Sequence, residues 1–401
     1  MKDESTIHIV QLGSYSKPEV KEYYNEDWVS YGDDNDYFNY LIDRYNGSPT
    51  NNAAINGISE MIYGRGLDAT DSKEKEADYK EMKELFNKNV IKRITHDYKM
   101  MGQAALQIIY TKDRSKIAQI AHIPVETLRA EKCNSKGEIE AYYYHSDWTE
   151  AKSGDKLTKI PAFGFSNAAI EILYIKPYRA GYKYYSPVDY QGGLQYAELE
   201  EEIANYHINN IQNGLSPSML INFNNGTPDA EQRDAIETSI MNKFSGSSNA
   251  GRFILAFNDS KELAATIEPV QLSDAHQQYQ FLSDESMRKV MVSHRIVSPM
   301  LVGIKDTTGL GNNAEELQTA SVLMDNTVIR PMQVTILDEL EKILDYNGIE
   351  LDIYFKTLQP LEFTDLTNAI SEAEVEKETG VKKDIQEEVK EKVEEQIENV
   401  E

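Results

Sequence analysis

The residues that decide the fold run Val297-Ser298-Pro299-Met300-Leu301-Val302-Gly303-Ile304-Lys305-Asp306-Thr307-Thr308-Gly309-Leu310-Gly311-Asn312-Asn313-Ala314-Glu315-Glu316. They read as a helix end, a short apolar turn, a glycine-bearing loop without hydrophobic period, and a helix start. Ser298 precedes a proline, which disfavours the helical region for it, so the preceding helix stops there. Asn313 is placed to cap the next helix, with Glu316 positioned for a capping box. That helix runs on to Leu344, with Leu317, Ala320, Met324 and Val328 in one stripe and Met332, Ile336, Leu340 and Ile343 in another. Pro331 sits between the stripes and removes a backbone donor in mid-helix, so a kink is expected there.

Reading outward from the loop, a helix capped by Ser273-Asp274 runs through Phe281, Leu282 and Met287 to Arg295. Before it lies a small α/β insert. Its expected parts are a strand at Met219-Leu220-Ile221, a turn at Asn224-Asn225-Gly226 and an amphipathic helix from Pro228 to Phe244. A strand at Arg252–Phe257 and a third from Thr266 to Val270 complete it. The insert's span of about 55 residues, 218–272, is near the limit of independent stability. Ahead of the insert, Ser186-Pro187-Val188-Asp189 is expected to open another helix, with serine as cap and proline at the first position. It extends to Asn213, where Gly214 offers a left-handed stop, giving a rod of roughly 40 Å. The expected class is α+β.

The chain has 401 residues, 40% hydrophobic and 27% charged, enough for two or three domains with an ample core. No stretch approaches the length of a membrane span, and the polar start Met1-Lys2-Asp3-Glu4 does not read as a signal peptide. A single cysteine, Cys133, excludes an intrachain disulfide framework and a cysteine metal cluster. The formal charge of −26 argues against a protein that grips nucleic acid, since phosphate affinity comes from clustered Lys and Arg. It does not argue against one that DNA passes through.

The N-terminal part supplies motifs that must be weighed. Residues 1–47 are polar and tyrosine-rich, and Tyr31-Gly32-Asp33-Asp34 spells the paired aspartates of many polymerase metal sites. Asn35-Asp36 follows where a hydrophobic strand should run, however, and too little chain precedes it. A calcium loop through Asp33, Asp34 and Asp36 lacks the distal glutamate such loops need, which leaves a solvated acidic turn. Ser48-Pro49-Thr50 starts a helix with Ala54, Ile55, Ile58, Met61 and Ile62 on one face, stopped by Gly64-Arg65-Gly66. Ser72–Lys83 reads as a charged surface stretch, Leu85–Met101 as a helix and Ala104–Tyr110 as a buried strand. Alternation then marks an antiparallel β region: Ile120–Ile123, Ile139–Tyr144, Ala162–Phe165 and Ile170–Ile175. Turns fall at Ser135-Lys136-Gly137 and Ser153-Gly154-Asp155. Ile349–Phe355 is a further alternating strand.

Catalytic groups do not converge. Gly309-Leu310-Gly311 lacks the lysine and hydroxyl residue of a phosphate-binding loop, and no Gly-x-Ser-x-Gly, His-Glu-x-x-His or Cys-x-x-Cys occurs. His96 and His122 have no second ligand at metal spacing, while His207, His276 and His294 fall on the expected rods as surface residues. No enzyme, metal or cofactor is expected. The tail, Asp365–Glu401, carries 13 acids against 5 lysines. Val381, Ile385, Val389, Val393, Ile397 and Val400 form a helical seam in it, open to two readings: a partly disordered acidic tail, or a helix that packs against copies of itself.

The order and spacing of these elements resemble the portal protein family of tailed bacteriophages, of the type found in many long-tailed phages. The matching strings are Tyr185-Ser186-Pro187-Val188, Asn249-Ala250-Gly251-Arg252, Val297–Gly303, Asn313-Ala314-Glu315-Glu316 and Arg330-Pro331. The resemblance implies an N-terminal wing over 1–185, a first stem helix over 186–217, a clip over 218–272 and a second stem helix over 273–298. It further implies a tunnel loop over 299–313, a long wing helix with a closing strand over 314–364, and a helical crown or tail over 365–401.

What the family does then follows as expectation. A ring of twelve subunits would sit at one vertex of the virion capsid, assembled in the host cytoplasm, as the head-tail connector. Double-stranded DNA would be packaged and ejected through it. The partners implied are the terminase large subunit, a major capsid or scaffold protein, and a tail connector or adaptor, with no membrane. The tunnel loop residues Lys305, Asp306, Thr307, Thr308, Gly309, Leu310, Gly311 and Asn312 would touch DNA. Glu198, Glu200, Glu201 and Glu202 on the first stem rod either face the lumen, repelling DNA over about 8 Å, or solvate the outer stem. A different non-enzymatic virion or capsid-assembly protein is the alternative function.

Overall fold

A computed structural model describes residues 17–152, 154–212, 219–223, 232, 253–257, 275–304 and 314–357. The chain divides into two compact units, one of residues 1–195 with 290–401 and one of residues 196–289. The fold is α+β.

The first unit is built on a three-stranded antiparallel sheet in the order β5-β4-β9: Ile117–Ile123, Ala104–Tyr110 and Ile170–Ile175. Register pairs Ile108 with Ile120 on one side and with Glu171 on the other. Because side chains alternate along a strand, Leu106, Ile108, Ile120, Leu173 and Ile175 share one face, and Ala105, Ile123 and Ile172 the other. The first face is covered by aliphatic residues of three helices. α2 (Pro49–Tyr63) brings Ile58 and Ile62, α4 (Lys88–Met101) brings Ile91 and Ile94, and α8 (Arg330–Asn347) brings Ile336, Leu340 and Ile343. The second face packs against a tyrosine-rich cluster from β2 (Val29–Tyr31), α1 (Tyr37–Gly47), β6 (Leu128–Ala130) and β7 (Ala141–Tyr144), joined by Tyr184, Tyr185 and Tyr190.

Smaller pairings complete the unit. β1 (Val20–Glu22) pairs with β2, and β6 and β7 continue to β8 (Thr158–Pro161). β3 (Leu67–Ala69) is closed antiparallel by β12 (Ile353–Phe355). The expected cap of α2 is present: Ser48 Oγ accepts from the Asn51 N–H at 3.1 Å, and Gly64 ends the helix at φ +55°. The long helix expected after the loop runs from Ala314 in three parts: α7 (Ala314–Met324), a π-helical turn (Asp325–Ile329) and α8. Ala320, Met324, Val328, Ile336, Leu340 and Ile343 of the expected stripes are buried. The cap expected at Asn313 lies outside the described residues.

The second unit holds the greater part of α5 (Leu194–Gln212) and α6 (Ala275–Ser293), and a parallel pair, β10 (Met219–Phe223) with β11 (Phe253–Phe257). Parallel strands need a crossover connection. The helix expected there, Pro228–Phe244, lies outside the described residues apart from Gln232, as do the Thr266–Val270 strand and the 358–401 tail. Within this unit Tyr206 of α5 stacks on Tyr279 of α6 at 4.5 Å.

Several expectations need correction. The first rod does not start at Ser186; α5 begins at Leu194 after a 3-10 turn at Gln191–Gly193. Ser186 is buried, its N–H donates to Gln103 Oε1 at 3.0 Å and its hydroxyl to the Pro187 carbonyl at 3.4 Å, so it caps nothing. The charged stretch 72–83 contains most of α3 (Glu76–Leu85), and α4 starts at Lys88 because Asn87 Oδ1 accepts from the N–H groups of Asn89 and Val90. The strand expected at Ala162–Phe165 is a turn, held by the Glu171 carboxylate accepting from the Gly164 N–H at 2.9 Å. The strand expected from Ile349 is confined to Ile353–Phe355. Asp33 and Asp34 do form an acidic surface turn, but its flanks Tyr31 and Asn35 are buried, and α1 behind it was not expected.

Candidate functional site: the frame of the 305–313 loop

The chain enters the loop through a tight sequence of stops. α6 ends at Ser293, and Arg295 takes φ +59° with its N–H on the Val292 carbonyl. Ser298 is extended, as a residue before proline should be, and Pro299–Val302 forms one 3-10 turn. Gly303 then reverses the chain at φ +78°, where a side chain would be strained. The Ile304 N–H returns to the Pro299 carbonyl at 3.0 Å. This turn sits directly on α2. A Cβ on Gly57 would come within 2.8 Å of Val302 Cγ1, so the mid-helix glycine is the condition for the turn to seat. Arg295 also donates to the Thr327 carbonyl at 2.7 Å, tying the loop's entry to the helix that follows its exit.

Behind the entry lies a buried polar cluster that fixes the inner ends of both helices. Lys99 of α4 is fully buried, with Nζ 2.8 and 2.9 Å from the two Asp189 oxygens and 5.0 Å from the Tyr190 ring centroid. Burial pushes the Lys99 pKa down, and Asp189 opposes that shift. Tyr190 stacks on His294 at 4.2 Å and donates to the Met100 carbonyl at 2.6 Å. Gly193 abuts Ser293 so closely that a Cβ would collide with the Ser293 side chain. Asn51 Nδ2 donates to the Arg44 carbonyl, which turns Oδ1 toward His294 Nε2 at 2.8 Å. His294 is therefore a neutral Nε2–H donor, and burial followed by Lys99 holds its pKa well below the ordinary histidine value. This histidine was expected on a helix surface; it is instead a fully buried anchor. The cluster offers no nucleophile-base pair. Its chemistry is mechanical: it locks residues 186–193 to 293–294.

At the loop's exit the helix widens. The Arg330 N–H reaches the Asp325 carbonyl, one residue further back than in an α-helix, and Arg330 Nε pairs with Asp325 Oδ2 at 2.9 Å. Pro331 is the second residue of α8, just after this turn. The tunnel-loop candidates Lys305 to Asn312 lie outside the described residues. Of the acidic candidates on α5, Glu202 is exposed and Glu198, Glu200 and Glu201 are half-buried. His122, given no acid partner by sequence spacing, has Asp97 Oδ2 at 2.7 Å from Nε2. Among the described residues no group of three potential metal ligands occurs, and no helix is long and apolar enough to cross a membrane. The Lys99–Asp189 pair was missed because its members stand 90 positions apart. The Gly192-Gly193 pair was the one local signal of close approach.

The chain belongs to the phage portal protein family, whose family model matches residues 74–378. Its fold is similar to that of a chain in the virion of the native gene transfer agent particle, with a TM-score of 0.53 at 15% identity, over 79% of this chain and 82% of that one. A chain of the neck of the native particle, computed with C12 symmetry, gives 0.52 at 15% identity over 78% and 82%. In sequence the chain is 23% identical over 210 residues to an uncharacterized protein of Rickettsia bellii (strain RML369-C), 52% of this chain and 50% of that protein. The chain thus spans about half the length of that curated relative.

Proposed function

We propose that the protein is the portal of a tailed phage or phage-like particle, a ring of twelve copies at one capsid vertex through which double-stranded DNA enters and leaves. The observation that carries this is the family match across 74–378, which takes in the paired helices, the loop and the long helix together. A chain of similar fold in a particle neck computed with C12 symmetry supports the copy number. In this reading residues 186–217 and 273–298 are the stem, 218–272 the clip that meets the terminase, and 299–313 the tunnel loop. Residues 314–364 complete the wing and 365–401 form a crown or tail. Capsid or scaffold protein and a tail connector are its other partners.

The physical account of passage is repulsion with one point of contact. Tight binding to DNA needs clustered cations, whereas the chain carries a net charge of −26 and a run of glutamates on α5. Glu202 and its neighbours, repeated around a channel, keep the duplex centred and free to slide. The loop from Lys305 to Asn312 supplies the contact, anchored at its entry by the Gly57–Val302 packing. In this reading the long helix turns from channel wall to wing near Pro331, which directly follows the π turn. Native mass spectrometry of the purified chain is expected to give a species of twelve copies. Lys305→Glu is expected to leave that species intact while lowering packaged DNA. A chain that stays monomeric at all concentrations contradicts the ring, and unaltered packaging by Lys305→Glu removes the loop from its role.

A further inference from the structure

Two helices of the first unit carry charge against their own dipoles. A helix favours acids in its first turn and cations in its last. α4 opens on Lys88 with no acid in its first turn, and Lys92 and Arg93 follow, all three exposed. α8 does the reverse at its other end. Asp345 lies in its last turn, which holds no cation, and Asp338 and Glu341 precede it at helical spacing, all three exposed. Among the described residues none of these six makes an ion pair, whereas Lys75, Lys99, Lys116 and Lys159 each hold a carboxylate. Burial first, then Asp338, Asp345 and Asp352, push the Glu341 pKa up. Like charges one turn apart destabilise a helix, so both stripes are costs to the single chain.

We infer that the cationic stripe of α4 in one copy meets the acidic stripe of α8 in the next, an inference that rests on the ring proposed above. Head-to-tail contacts close a ring when each copy offers two different, complementary surfaces. Stripes of opposite sign on two helices are such a pair. Copies of net charge −26 repel one another, so a junction between them requires its cations to face acids. The contact relieves the repulsion within each stripe and the conflict of each with its helix dipole. Exposed ion pairs add little affinity singly. Their part here is to steer neighbours together and fix their register.

Two full-length variants test this by native mass spectrometry at equal concentration. One carries Lys88→Glu, Lys92→Glu and Arg93→Glu; the other carries Asp338→Lys, Glu341→Lys and Asp345→Lys. Each alone is expected to give about ten-fold fewer rings than the unaltered chain, because lost complementarity slows encounter. Mixed one to one, they should recover rings holding both chains in equal number, since every junction then joins opposite signs again. If a triple reversal unfolds its chain, as tryptophan fluorescence in urea would show, Arg93→Glu and Glu341→Lys mixed in the same way carry the test. Full ring yield from either variant alone, or no recovery from the mixture of folded chains, overturns the inference while rings of the unaltered chain uphold the proposed function. No rings from the unaltered chain remove that function and the inference with it. Full rings from the α4 variant with lost binding to a labelled duplex DNA would give α4 to phosphate instead of to a neighbour.

Discussion

The two faces of the β5-β4-β9 sheet solve the same problem with opposite chemistry. One is covered by Ile, Leu, Met and Val from α2, α4 and α8. The other meets Tyr31, Tyr37, Tyr142, Tyr184, Tyr185 and Tyr190, with Arg129 and Lys99 fully buried nearby. An aliphatic face depends on volume, so it tolerates exchange among residues of similar size. The tyrosine face depends on hydrogen bonds. Tyr185 donates to the Val29 carbonyl at 2.5 Å and accepts from the Ala130 N–H at 3.0 Å. Among the described residues Arg129 has no carboxylate partner; it bonds Asn35 Oδ1 and the carbonyls of Asn35, Glu126 and Leu128. Its cation also lies 5.1 Å from the Phe38 ring and 5.2 Å from Trp148. Size rules one side and polar satisfaction the other.

The comparison breaks first, if it breaks, at Lys99. Lys99→Met strands Asp189 in a largely dry site and should cost roughly 3–5 kcal/mol, while Lys99→Met with Asp189→Leu should recover most of it. Both tryptophans, Trp28 and Trp148, lie in the first unit, so their fluorescence in a urea titration reads this directly. A Lys99→Met midpoint equal to that of the unaltered chain would show that the buried pair carries no weight.

Tyr185→Phe keeps the volume and should still cost about 1–3 kcal/mol, because two buried backbone groups lose their partner. The same titration checks it, and a neutral result would assign the tyrosine face to packing alone.

Glu171 sharpens the contrast from the aliphatic side, where it is a buried charge. Burial alone would raise its pKa, but the Gly164 N–H, the Tyr110 and Ser166 hydroxyls and Arg114 together hold it below the ordinary carboxylate value. A depressed pKa contributes stability present above the unfolded value, about pH 4.3, and lost as pH falls through the folded value. Glu171→Gln should therefore flatten the loss of thermal midpoint below about pH 4.3 relative to the unaltered chain. Parallel curves would show that these donors do not select the charged form.

Leu340→Met is the smallest change, expected to cost under about 1.5 kcal/mol on the volume-tolerant face. A loss as large as that of Tyr185→Phe would erase the distinction between the two faces.

The same division governs what could be read from the residues. The aliphatic side was legible because its helices repeat at 3.6 residues: Ile58 and Ile62, then Ile336, Leu340 and Ile343, all buried as their spacing requires. The π turn within the long helix left that stripe intact on both sides of Pro331. The tyrosine side was not legible. Tyr31 and Tyr37 stand among acids in a polar stretch with no period, and only pairing across 154 positions, Tyr185 with Tyr31 and Gln191 with Tyr37, makes them core. Ser186-Pro187 carried a local signal for a helix start that the fold does not use, because Gln103 takes the Ser186 N–H and Lys99 holds Asp189. Of the candidate site, the frame was half visible: Ser298-Pro299 and Gly303 mark the turns, but nothing in the string announces that Gly57 receives Val302 or that His294 is buried on Tyr190.

The central claim, that this fold serves as a ring around passing DNA, is tested most directly by electron micrographs of the purified chain averaged along the view of highest symmetry. The account predicts closed rings of twelve copies with an open central channel, narrowest at residues 305–313. Single particles without a channel, or rings whose 305–313 segment lies on the outer rim, would contradict it.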